Sequence, residues 1–167
     1  EYRHPKEDIL LPELEKLLAN TSTGKRLLES MRTYKIPIRL LKGENMHGFS
    51  PDGKAAYVAL PFSQSKLKPR LVLELIAALR AAEQEIIGYG SPDKEMSSLD
   101  FAAMHHAKNL DLVVHMCRVA HEQFKLDQST EYIDVLEERG HGGLDDAYSR
   151  DFVSDELVDV YYKEDEE

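Results

Sequence analysis

Apolar residues recur along this chain in two rhythms. The first stretch, "KEDILLPELEKLLA", starts near Pro5 and sets Leu14, Leu17 and Leu18 at helical spacing. Pro12 falls inside it, which predicts a break or a fresh start there. "NTSTGKRLLESMRTY" predicts a second helix, with Thr21, Ser22 or Thr23 as cap and Leu27, Leu28 and Met31 on one face. The period then drops to two. In "KIPIRLLKG", Ile36, Ile38 and Leu40 alternate with Pro37 and Arg39, as in a strand. "MHGF" and "AAYVAL" flank "SPDGK". Pro51 presets one turn torsion and Gly53 tolerates positive φ, so the pair reads as a hairpin.

Helical spacing returns for two long segments. One covers about Lys68 to Ile87 and stops at "GYGSPD". The other starts near "SSLDFAAM", capped by Ser97 or Ser98, and runs to about Lys125. Its stripe of Leu99, Ala102, Ala103, Leu110, Val113, Val114, Cys117, Ala120 and Phe124 predicts a core-facing helix. "STEYIDVLEERG" is a shorter helix ending at Gly140, and "SDELVDVYYKEDEE" reads as a capped helix or short strand fading into an acidic tail. The expected class is α+β and predominantly α-helical, with a small antiparallel sheet or hairpin packed on two long helices. One domain is expected over residues 1–167. Its core lies at about 23–125, with peripheral helices and loops over 126–160 and an acidic tail over 161–167.

One residue interrupts the most apolar segment. In "PRLVLELIAALRAAEQEI", Glu74 sits among Leu, Ile, Val and Ala. On a helical wheel, Val72, Leu75, Ile76, Leu79 and Ile86 cluster about 100–200° away from it. Its near neighbours are Arg70, Ala77, Ala78, Ala81 and Glu85. The plainer expectation is a surface glutamate with a helix-internal partner, Arg70 at i−4. The sharper one is a carboxylate beside a cleft floored by the small residues Ala77, Ala78 and Ala81, though alanine also simply favours helix.

Composition narrows the classes. The net charge is −10, from 31 acidic and 21 basic residues, which argues against a nucleic-acid surface. No apolar run approaches the roughly 20 residues that span a bilayer, and the first residues carry no leader pattern. The single cysteine, Cys117, makes no intrachain disulfide and lies in an apolar pattern, so a buried thiol in a reducing, cytoplasmic setting is expected.

The order of parts then matters. A helix opening "TGKRLLE" leads to the strand "IPIRLL", the hairpin "HGFSPDGKAAYVAL", a long helix with a central Glu, and a second long helix. This order, over about Thr23 to Phe124, resembles the bacterial zincin-like metallopeptidase-related domains of unknown function. In that family the hairpin carries a Tyr, here Tyr57, and the next helix carries H-E-x-x-H, whose two His bind zinc while the Glu serves as general base. Here "LELIA" occupies that place. Leu73 and Ala77 stand for the two His, and only Glu74 matches. The family's third ligand, a Glu ahead of an Asp on the following helix, aligns with "AKNLDLVVH". There Asp111 matches the Asp, while Asn109 or Ala107 replaces the Glu. The resemblance implies a domain that has lost its zinc site and needs no cofactor. Glu74 would keep the vestigial general-base position, and Tyr57, Ala77, Ala78 and Ala81 would line the old cleft, which takes an unidentified peptide or protein partner.

Two other classes stay open. A metal-dependent hydrolase with a non-standard site is one, and the His and Asp of the last long helix supply its weak candidates, His105, Asp111 and His115. An interaction domain without zincin kinship is the other. The "TGK" triplet has no preceding strand, "GYGSPD" and "GHGG" are helix stops or turns, and no G-x-S-x-G occurs. Asp145, Asp146, Asp151 and Asp155 lack the spacing of a calcium loop and read as solvated surface.

Overall fold

Among the described residues, five helices and three strands follow one another as α1 (Glu7–Ala19), α2 (Ser22–Thr33), β1 (Ile38–Lys42), β2 (His47–Ser50), β3 (Ala55–Leu60), α3 (Pro69–Ile87), α4 (Ser98–Asp127) and α5 (Glu131–Glu138). This computed structural model describes residues 3–44, 46–50, 54–63, 68–89 and 95–143. The "SPDGK" turn centre and the carboxylates from Asp145 onward, with the C-terminal helix or strand, lie outside the described residues. The class is α+β and predominantly helical. The backbone divides into two units, Glu1–Glu83 and Gln84–Glu167, with the boundary inside α3.

In the first unit, α1 runs unbroken through Pro12, against the expected break. Pro12 and Asp8, whose carbonyl loses its donor, both lie on the exposed side of the helix, where water can replace the missing N–H. Thr21 caps α2, its hydroxyl oxygen accepting from the Gly24 N–H at 3.2 Å. A side chain at Gly24 would come within 2.1 Å of the Leu18 carbonyl oxygen, so the turn between α1 and α2 closes only around a glycine.

The sheet has the order β1-β3-β2. It is mixed, not antiparallel as expected: β2 pairs antiparallel with β3, while β1 pairs parallel with β3. Residues 43–46 carry the chain from β1 to β2. Four residues can span two strand spacings, about 10 Å, which leaves a slot that β3 fills. Alternating polarity marks a strand's faces but not its direction, so the sequence pattern is blind to this choice.

Glu7 ties α1 to the sheet. Its carboxylate accepts from Arg3 Nε at 2.8 Å, from the Leu40 N–H at 2.8 Å and from Arg39 Nε at 3.3 Å. Within α3, every residue from Leu71 to Leu79 is buried. A helix that is apolar all round belongs inside a fold, and this stretch does.

In the second unit, Ser97 caps α4, accepting from the Asp100 N–H at 3.1 Å. Gln128 ends the helix in a left-handed conformation, φ 61°, and α5 turns back to pack against α4. The predicted core stripe of α4 is only half realised. Val113, Cys117 and Ala120 are buried, but Leu99 is 79% exposed and Ala102 and Ala103 are exposed too. The reason is length. Thirty residues make a helix of about 45 Å, and the eight of α5 cover about 12 Å of it.

Candidate functional site

Glu74 is 2% exposed, so the surface reading of this residue is wrong. Its helix partner is as expected: Arg70 Nε donates to Glu74 Oε1 at 3.1 Å. The wheel misplaced the carboxylate because it assumes one buried face, whereas α3 is enclosed on all sides over this stretch. Leu73 and Ala77 are buried aliphatic side chains. Ala77 and Ala78 are packed rather than open, and Ala81 is half-buried. Tyr57 lies on β3 opposite Gly48 of β2. A side chain at Gly48 would meet the Tyr57 hydroxyl at 3.1 Å, so the ring covers the space a glycine leaves on the neighbouring strand.

The second carboxylate of α3 is more tightly held. Arg26 Nη1 donates to Glu83 Oε1 at 2.7 Å and Arg26 Nη2 to Oε2 at 3.3 Å. Arg80 Nη1 reaches Oε2 at 2.5 Å, and the Ser30 hydroxyl donates to Oε1 at 3.0 Å. Burial pushes the Glu83 carboxyl up, but the hydrogen bonds from Arg26, Arg80 and Ser30 and the Arg26 charge outweigh it, lowering the pKa from 4.5 to about 2. A carboxylate so weakly basic is a clamp between α2 and α3, not a proton acceptor near neutral pH. Sequence reasoning missed it. Arg80 at i−3 was legible, while Arg26 is 57 residues away and nothing local announces it.

In the second unit, Gln84 Nε2 donates to Asp111 Oδ2 at 2.7 Å and to the Lys108 carbonyl at 3.1 Å. His115 Nδ1 lies 2.8 Å from the Asp111 carbonyl oxygen and 3.6 Å from Asp111 Oδ1. Asp111 and His115 therefore come together, as their i, i+4 spacing allows. His105 does not join them. It is exposed, sits edge-to-face with His106 at 6.4 Å, and lies six and ten residues, about 9 and 15 Å, back along the helix from Asp111 and His115. Among the described residues no three His, Cys, Asp or Glu side chains gather as a metal site would require. Cys117 is buried. A groove of about 370 Å³ between α1 and α2 is lined by Pro12, Lys16, Leu28 and Arg32 among others, and none of the expected site residues reaches it.

Among the described residues, no helix is long and apolar enough to cross a membrane. Comparison of the chain with protein-family models, curated proteins and solved structures finds no match.

Proposed function

We propose that this chain is a catalytically inactive, zincin-like domain with a binding or structural role. One observation carries the reading. At the place where a metallopeptidase helix presents two imidazoles and a solvent-reaching carboxylate, this helix has buried Leu73 and Ala77, and the carboxylate of Glu74 is enclosed and held by Arg70. Aliphatic side chains cannot bind zinc, and a carboxylate engaged by a guanidinium is poorly placed to activate water. Glu74 then acts as an internal anchor for α3. A protein or peptide partner and a cytoplasmic setting go with this reading, the latter because the single cysteine is an enclosed thiol.

The test is metal content together with proteolysis. Protein purified without chelator is expected to carry no stoichiometric zinc and to leave a mixed peptide library uncut, with Glu74→Gln behaving as the parent does. Stoichiometric zinc with a cleavage that Glu74→Gln abolishes would overturn the proposal. A cleavage abolished by Asp111→Asn and His115→Gln instead would favour the metal-dependent hydrolase, since those two side chains are adjacent.

A further inference from the structure

The residues just ahead of α1 lie along the sheet. β1 is an outer strand in the order β1-β3-β2. Arg3 pairs with Leu41 as an antiparallel bridge, and the His4 N–H donates to the Leu40 carbonyl oxygen at 2.9 Å. The segment therefore straps the free edge of β1, a row of backbone groups otherwise open to pairing. It turns directly into α1, where the Glu7 N–H donates to the His4 carbonyl oxygen at 3.0 Å.

The side chain of His4 is 1% exposed. Its Nδ1 accepts from the Lys6 N–H at 3.2 Å, so the neutral ring carries its proton on Nε2. Nε2 is enclosed and meets no acceptor among the described residues. The charged groups around the strap are Arg3, Lys6, Glu7 and Asp8 on its own side and Arg39 on β1. Glu7 is engaged by Arg3 and Arg39, and Asp8 by Arg3. Among the described residues, neither carboxylate forms an ion pair with His4. A second proton on this ring has no good place. On Nδ1 it would displace the Lys6 N–H, because two donors cannot share that position. The imidazolium would also be enclosed, with Arg3, Lys6 and Arg39 near it and no acceptor for Nε2.

We propose that His4 makes this strap pH-sensitive. Neutral, the ring holds residues 3–6 on the edge of β1. Protonated, it leaves its enclosure and the strap releases, which frees the Leu40 carbonyl oxygen and opens that edge to another strand. The sheet itself persists, because β3 still pairs with β1 and β2. Above about pH 6.5 a free imidazole is neutral, and opening takes up no proton. Below it, each opening takes up one, so the open fraction rises up to tenfold per pH unit. The device is independent of the reading of Glu74.

Amide hydrogen exchange of the full chain, followed residue by residue by NMR from about pH 8 to about pH 5, tests this. Exchange of the His4 and Lys6 amides is corrected for its intrinsic pH dependence and taken relative to Val58 on the central strand. This ratio is expected to rise about thirtyfold across the range. In His4→Asn a carbonyl oxygen can replace Nδ1 as acceptor, but nothing titrates. Its ratio is expected to stay flat with pH, whether the strap sits tightly or loosely. His4→Phe, which keeps a ring, is expected to be flat as well. A flat ratio in the parent overturns the proposal. So does a rise of the same size in His4→Asn or His4→Phe, since another group would then be the trigger.

Discussion

Leu79 on α3 is fully buried, and Leu99 on α4 is 79% exposed. Both stand at apolar positions of long helices, and both fall on the predicted core stripes. The difference lies in what surrounds each helix. The stretch of α3 around Leu79 is covered on all sides, so it buries even the carboxylates of Glu74 and Glu83. The start of α4 extends beyond the reach of α5. Amphipathic spacing says which side of a helix prefers contact. It does not say how far the contacting elements extend.

The largest effect expected from this contrast is at Leu79. Leu79→Ala should cost about 3–4 kcal/mol in urea unfolding, combining lost transfer energy with a cavity. A cost under about 1 kcal/mol would mean that the α3 core is far looser than described. Glu83→Ala comes next, at about 2–3 kcal/mol, because it removes a buried carboxylate that accepts from Arg26, Arg80 and Ser30 together. Glu74→Leu separates packing from charge on the same helix. It removes a buried carboxylate while half-exposed Arg70 can return to water, and the new side chain is aliphatic among aliphatic neighbours, so the stability should stay within about 1 kcal/mol of the parent.

The pH dependence sharpens the comparison between the units. The folded-state pKa of Glu83 lies near 2, below its ordinary 4.5. Its contribution is complete above pH 4.5 and is lost as pH falls toward 2, about 2–3 kcal/mol in all. Tyr132 on α5 behaves in the opposite sense. Burial, with the nearby charges of Glu131 and Asp127, pushes its hydroxyl from 10.0 up to about 12. Its contribution is complete below pH 10 and fades as pH rises toward 12, by about 2 kcal/mol. Chemical unfolding across both limits should show Glu83→Gln flattening the acid side and Tyr132→Phe the alkaline side. If each substitution changed the wrong side, both assignments would fail. The smallest effect closes the contrast: Leu99→Ala should alter the stability of dilute protein by no more than about 0.5 kcal/mol.

Much of the fold was legible along the chain. The sequence placed α3, α4 and the two hairpin strands within a few residues, and it narrowed the caps to Ser97 or Ser98 for α4 and to Thr21, Ser22 or Thr23 for α2, because these depend on local spacing and local hydrogen bonds. The Glu74–Arg70 pair was legible for the same reason, being four residues apart on one helix. That Leu73 and Ala77 are aliphatic was likewise plain from residue type alone.

Contacts between distant segments decided the rest. The parallel pairing of β1 with β3 depends on where the chain returns, which alternating polarity does not encode. The burial of Glu74 reflects elements closing over every side of α3, and the Arg26–Glu83 clamp joins residues 57 positions apart. Local periodicity is a property of one segment's energetics. Burial and long-range charge pairing depend on every segment that reaches the same place, and so they existed only once the chain had folded.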